Sequence, residues 1–155
     1  MKTFNELIAD AIPFIKEVFP WDLEEKLNSD SKPLIIDIRE ADEYQAMHIA
    51  DSMFIPRGLL EQACEWDYDV TIPELVKART REVIIVCRSG TRSVMAALTM
   101  HLMGYQNVAS LTTGVRGWND YDQPMIDGLG NEVDPDDAEE FLSNKVRDDQ
   151  MKPKE

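Results

Sequence analysis

The run Val83-Ile84-Ile85-Val86-Cys87 constrains this chain more than any other feature in it. It is apolar throughout and rich in β-branched residues, which reads as a strand buried on both faces. A glycine-containing turn follows. A helical pattern then covers 91–103, with Val94, Ala97, Leu98, His101 and Leu102 predicted on one face and Gly104 as its C-cap. Leu34 to Ile38 repeats the theme as a strand with Asp37 near its end, followed by a charged helical turn at 40–46. Ser52 to Ile55 is a weaker strand stopped by Pro56, and Asn107 to Leu111 is another. Between them, 57–64 and 73–79 read as helical and 65–72 as irregular. Gly114 and Gly117 bracket a predicted turn before a short helix carrying Trp118. Strands alternating with helices predict an α/β domain, with a mainly parallel sheet and helices on both faces.

The two ends read differently. Phe4, Leu7, Ile8, Ile12, Ile15 and Phe19 fall at spacings of three and four, which predicts an amphipathic helix over 3–18. Thr3 or Asn5 is placed to cap it, and Pro13 to kink or divide it. Its apolar face is open to packing on its own domain or to dimerisation, so monomer and homodimer both stand. A second short helix is expected over 22–28, and Pro33 breaks the chain after it. From Asp127 onward there are ten acidic and four basic residues, a net charge of −6. An acidic helix is expected over 135–147, started by Asp134-Pro135. The expected organisation is therefore a helical extension at 1–20, one domain at 21–126 and an acidic, partly helical extension at 127–155.

The net charge of −14 argues against non-specific binding to nucleic acid or to an anionic membrane. Charged residues interrupt Met1 to Phe19, and no run approaches the roughly 20 apolar residues of a membrane span, so a cytoplasmic location is the default expectation. The two cysteines, Cys64 and Cys87, form no CxxC pair and no Cys/His cluster at zinc-like spacing.

Cys87 is the residue with chemistry. It stands where a central strand ends and a helix begins, the place where open α/β sheets build sites. The helix start aims free N–H groups and a positive dipole end at the loop. Gly90 permits a tight turn, and Arg88 and Arg92 add positive charge. These features stabilise a thiolate, the nucleophilic form. The N–H groups of Ser89, Gly90, Thr91, Arg92 and Ser93 can cradle a bound sulfur or oxyanion. The alternative is a structural cysteine with Ser89 or Thr91 capping a helix. Two arginines, a glycine and hydroxyls within six residues favour function.

Other residues carry less. Asp37 and Arg39, at the end of the first clear strand, are either supporting residues, with Asp37 orienting a loop arginine, or a structural ion pair. His48, Cys64 and Trp118 read as packing residues, Trp66 as partly exposed, and Arg57 and Arg116 as solvated.

Several ordered motifs resemble a rhodanese domain. Leu34-Ile35-Ile36-Asp37-Ile38-Arg39-Glu40, Glu43-Tyr44, His48-Ile49 and Ile55-Pro56-Arg57-Gly58 are similar to its first half. Val86 to Ser93, Met103-Gly104-Tyr105, Val108 and Gly114-Val115-Arg116-Gly117-Trp118 are similar to its second. Met47 before the His-Ile pair, Asp51-Ser52 after it, and Val115 depart from the family's usual glycines and alanine. The resemblance implies a five-stranded parallel sheet, sulfur transfer through a Cys87 persulfide from a donor such as thiosulfate, and no metal or organic cofactor. Cysteine phosphatases, some with this fold, use a loop with arginine at the sixth position after cysteine. Here Arg92 is the fifth, a shorter ring that suits one sulfur better than a phosphate. The second expectation is a protein-to-protein sulfur carrier or docking module, for which the acidic 127–155 segment is either a contact surface or a solvated tail.

Overall fold

The computed structural model describes residues 1–154. In chain order the elements are α1 (Phe4–Ala11), β1 (Lys16–Val18), α2 (Pro20–Leu27), β2 (Leu34–Asp37), α3 (Ala41–Ala46), β3 (Met53–Phe54), α4 (Leu60–Ala63), α5 (Pro73–Val76), β4 (Val83–Val86), α6 (Arg92–Leu102), β5 (Val108–Leu111), α7 (Gly114–Asp120) and α8 (Pro135–Leu142). The strands form one parallel sheet in the order β1-β5-β4-β2-β3. The apolar runs β2, β4 and β5 make its centre, where every residue is buried. The expected α/β fold, a five-stranded parallel sheet flanked by helices, is the one found.

Side chains alternate across the sheet and make two cores. On one face Ile36, Ile38, Ile85 and Cys87 pack against Leu60, Leu75, Ala96, Ala97 and Met100, from α4, α5 and α6. On the other, Ile35, Ile84, Val86 and Leu111 meet Leu23, Val115, Trp118, Ala138 and Leu142, from α2, α7 and α8. The second core draws in part of the acidic C-terminal segment. As far as Leu142 it is not a detached tail, because α8 buries Ala138 and Leu142 against the body, while Asp136, Asp137, Glu139 and Glu140 stay exposed on its outer side. Asp134 caps it, accepting from the N–H groups of Asp136 and Asp137, and it stops at Leu142, short of the expected 147.

Several boundaries differ from expectation. The helix predicted over 3–18 ends at Ala11; a 3-10 turn at Ile12–Phe14 contains Pro13, and Lys16–Val18 is the edge strand β1. Proline cannot donate within a helix, and the open edge of β5 offers the following residues a ladder. Thr3 is the cap, paired reciprocally with Glu6. The amphipathic face of α1 packs on its own domain through Ile8 and Ala11, against Val94 of α6. α6 is therefore covered on two sides. Ser93, Ala96, Ala97 and Met100 are buried and Val94 turns to α1, while His101 is exposed and Leu102 is 76% exposed. Gly114 and Gly117, predicted to bracket a turn, both lie inside α7. No helix among the described residues is long and apolar enough to cross a membrane.

Candidate active site

β4 ends at Val86, and the chain turns from Cys87 into α6, which starts at Arg92. The Cys87 side chain is 1% exposed. Two backbone amides converge on its sulfur: Gly90 N–H at 3.2 Å and Ser93 N–H at 3.4 Å. The thiol also lies 3.3 Å from Ser93 Oγ, and Ser93 Oγ is 2.7 Å from Ser110 Oγ on β5. Thr91 occupies the N-cap of α6 but its side chain makes no capping bond. Ser89 is exposed, and Gly90 turns with φ +92°.

The loop is clamped from outside by the start of α7. Val115 N–H donates to Cys87 O at 2.9 Å and Arg116 N–H to Arg88 O at 3.0 Å. Gly114 allows this approach: its φ is +61°, and a Cβ there would lie 2.6 Å from the carbonyl carbon and oxygen of Arg88.

The two loop arginines differ. Arg88 is half-buried, with no ion-pair partner among the described residues. Arg92 is gripped bidentately by Glu43 of α3, at 3.0 Å from Nη1 and 2.8 Å from Nη2. Glu43 also accepts from Glu40 N–H at 2.9 Å. Burial pushes the Glu43 carboxyl up, but its bonds from Arg92 and Glu40 outweigh this and hold it below the ordinary carboxylate range. On Arg92 the same bond acts first, against burial, and raises the guanidinium further, with the charges of Glu43 and Cys87 adding to it.

Asp37 does not reach a loop arginine. It forms a fully buried pair with Arg39, Oδ2 to Nη2 at 2.8 Å, while Arg39 also donates to Met47 O at 2.6 Å. Arg39 Nη1 has no hydrogen-bond partner among the described residues. His48 stacks on Tyr44, bonds the Tyr44 carbonyl through Nδ1 at 2.8 Å and pairs its backbone with Ile126, all structural work. Cys64 is fully buried, and burial pushes its thiol up, away from reactivity. Trp118 is buried and Trp66 49% exposed, as expected. Arg57 bonds Glu61 and Thr99, and Arg116 is exposed. Among the described residues there is no group of three or more His, Cys, Asp or Glu placed to hold a metal ion.

Sequence reasoning passed over two participants. Ser110 left a trace, since a hydroxyl inside a buried apolar strand needs a buried partner. Glu43 stood only in an acidic first turn and in the Glu43-Tyr44 motif, with no role attached; that it meets Arg92, 49 residues on, depends on how α3 and α6 are packed.

Among proteins of known sequence, the chain is 36% identical over 111 residues to YrkF of Bacillus subtilis, named as a candidate sulfur carrier. The match covers 71% of this chain and 52% of that protein, so the chain spans about half its length. It is 29% identical over 115 residues to a protein of Schizosaccharomyces pombe named as a candidate mitochondrial thiosulfate sulfurtransferase, covering 68% of this chain and 81% of that one. Among solved structures, a Rhodopseudomonas palustris protein of unknown function, described as a candidate tyrosine phosphatase, aligns with a TM-score of 0.71 at 26% identity. That alignment covers 81% of this chain and 95% of the other. The rhodanese-like domain profile matches residues 20–121, from the start of α2 to the end of α7, and the chain therefore belongs to the rhodanese-like family of sulfurtransferases and sulfur carriers.

Proposed function

We propose that the protein is a sulfurtransferase that takes sulfane sulfur from a small donor such as thiosulfate and carries it as a persulfide on Cys87. The observation that carries this reading is the convergence of Gly90 N–H and Ser93 N–H on the Cys87 sulfur at the carboxyl end of β4. Backbone donors held in that arrangement favour a negative charge on sulfur, both before and after it is loaded. In the thiol form S–H can donate to Ser93 Oγ. In the thiolate form the Ser93 hydroxyl can turn to donate instead, since its partner Ser110 is able to donate or to accept.

The thiolate attacks the outer sulfur of thiosulfate, a new S–S bond forms, and sulfite leaves with the electrons of the broken bond. One negative charge stays on the persulfide and two leave on sulfite. A nucleophilic acceptor then attacks the outer persulfide sulfur and regenerates the Cys87 thiolate: cyanide in an assay, a thiol or a protein otherwise. Arg88 is the loop cation free to meet the anionic donor. After incubation with thiosulfate the intact mass should rise by one sulfur, about 32 Da, and reduction should remove it. Cys87→Ser should lose both the adduct and thiocyanate formation. Retention of either by that variant would sink the assignment.

A carrier reading is favoured by the likeness to the Bacillus protein. An adduct formed with a persulfidated protein but not with thiosulfate would select it. The phosphatase description of the structural relative raises the third reading. Here the loop arginine is tied to Glu43 and is the fifth residue after Cys87, which does not suit a tetrahedral phosphate. Phosphoester hydrolysis that disappears in Cys87→Ser would reverse that judgement.

A further inference from the structure

Among the described residues, Glu43 is the only carboxylate paired to a side chain of the 87–93 loop. It is built in. Both of its oxygens are engaged by the Arg92 guanidinium, and one of them also accepts the Glu40 N–H that starts α3. Its side chain is 18% exposed. A guanidinium free at this place would bind an oxyanion through two parallel N–H bonds. Glu43 already occupies those two positions. Its negative charge also cancels that of Arg92, in a chain that is strongly acidic overall.

We propose that Glu43 sets the charge the Cys87 loop presents to its donor and so selects against multiply charged anions, favouring sulfane donors of lower charge such as thiosulfonates and alkyl persulfides. This rests on the sulfur-transfer reading and narrows its donor class. The chemistry is the same for each donor. With methanethiosulfonate the thiolate takes the outer sulfur, methanesulfinate leaves with the bonding electrons, and the persulfide keeps one negative charge. Only the charge brought to the loop differs, one negative against two for thiosulfate.

Glu43→Gln removes that charge while keeping an oxygen for Arg92 or Glu40. Coulomb energy is linear in donor charge, so the gain for a dianion is about the square of the gain for a monoanion. The rate of Cys87 persulfide formation, read by mass, should rise about tenfold with thiosulfate and about threefold with methanethiosulfonate, and both gains should shrink with added salt. A second readout needs no sulfur transfer. The ratio of Cys87 alkylation by iodoacetate to that by iodoacetamide, read on the Cys87 peptide, should rise about threefold in Glu43→Gln. Any change in the thiolate fraction divides out of this ratio. Arg92→Gln should lower the ratio, and the double variant should return it toward wild type.

Unchanged ratios in folded Glu43→Gln, or equal changes for charged and neutral reagents, would overturn the role of Glu43. Failure of wild type to take sulfur from either donor would refute the sulfur-transfer reading and the donor selection with it. The alkylation ratio would then decide alone whether Glu43 sets the loop's charge.

Discussion

Gly114→Ala tests how the nucleophile loop is held. The new methyl group faces two obstacles. At φ +61° a residue with a Cβ costs about 1–2 kcal/mol in backbone energy. The Cβ would also press on the carbonyls of Cys87 and Arg88, and backbone cannot swing aside as a side-chain end does; such overpacking costs about 1–3 kcal/mol. Relief requires the start of α7 to move off the loop. That movement stretches the bonds from Val115 N–H and Arg116 N–H, each worth about 0.5–1.5 kcal/mol net. These contributions are alternatives in part, so the expected loss is about 3–5 kcal/mol, a large share of the 5–15 kcal/mol typical of a domain. Gly104→Ala is the control. Its φ is +91°, but a Cβ there meets nothing within 4 Å, so only about 1–2 kcal/mol of backbone energy is lost. With a urea slope of about 2 kcal/mol/M, the two midpoints should differ by about 0.5–2 M. Cys87 alkylation under native conditions should change in Gly114→Ala and not in Gly104→Ala. Equal midpoints for the two variants would refute the claim that α7 clamps the loop by close backbone approach.

Two further outcomes follow from the buried charges. Asp37→Ala leaves the Arg39 guanidinium fully buried without its carboxylate, at an expected cost of about 3–5 kcal/mol by denaturation; a loss under about 1 kcal/mol would mean the pair does not hold the end of β2. Glu43 is held below the ordinary carboxylate range in the folded state, so the stability it contributes is present above the unfolded value of about 4.3 and is lost as pH falls through the lower folded value. The urea midpoints of wild type and Glu43→Gln should therefore differ by a constant amount from pH 7 to about 5 and converge below; a gap that widens on acidification would contradict this.

What could be read in advance followed from local pattern. β2, β4 and β5 are long enough in aliphatic residues to announce a buried parallel sheet, and the step from Cys87 through Gly90 into α6 marked the site. β1 was not legible. Lys16-Glu17-Val18 has no strand signature, and it pairs on one side only, with Ala109, Ser110 and Leu111. A three-residue edge strand takes its stability from the neighbour's free ladder rather than from its own composition. The α6 stripe was misread for a related reason: helical periodicity shows one apolar face, whereas α6 is covered by the sheet on one side and by α1 on another.

The sequence by itself determined the α/β class, the nucleophile candidate and the length of its loop, because these depend on residues within a few positions of one another. Only the tertiary structure decided which charges meet. It closed Asp37 on Arg39 instead of on the loop, placed Ser110 behind Ser93, and brought Glu43 against Arg92. Asp37 has its partner two residues along the chain, but Glu43 meets Arg92 only through the packing of α3 against α6, and nothing in its neighbours along the chain records that pairing.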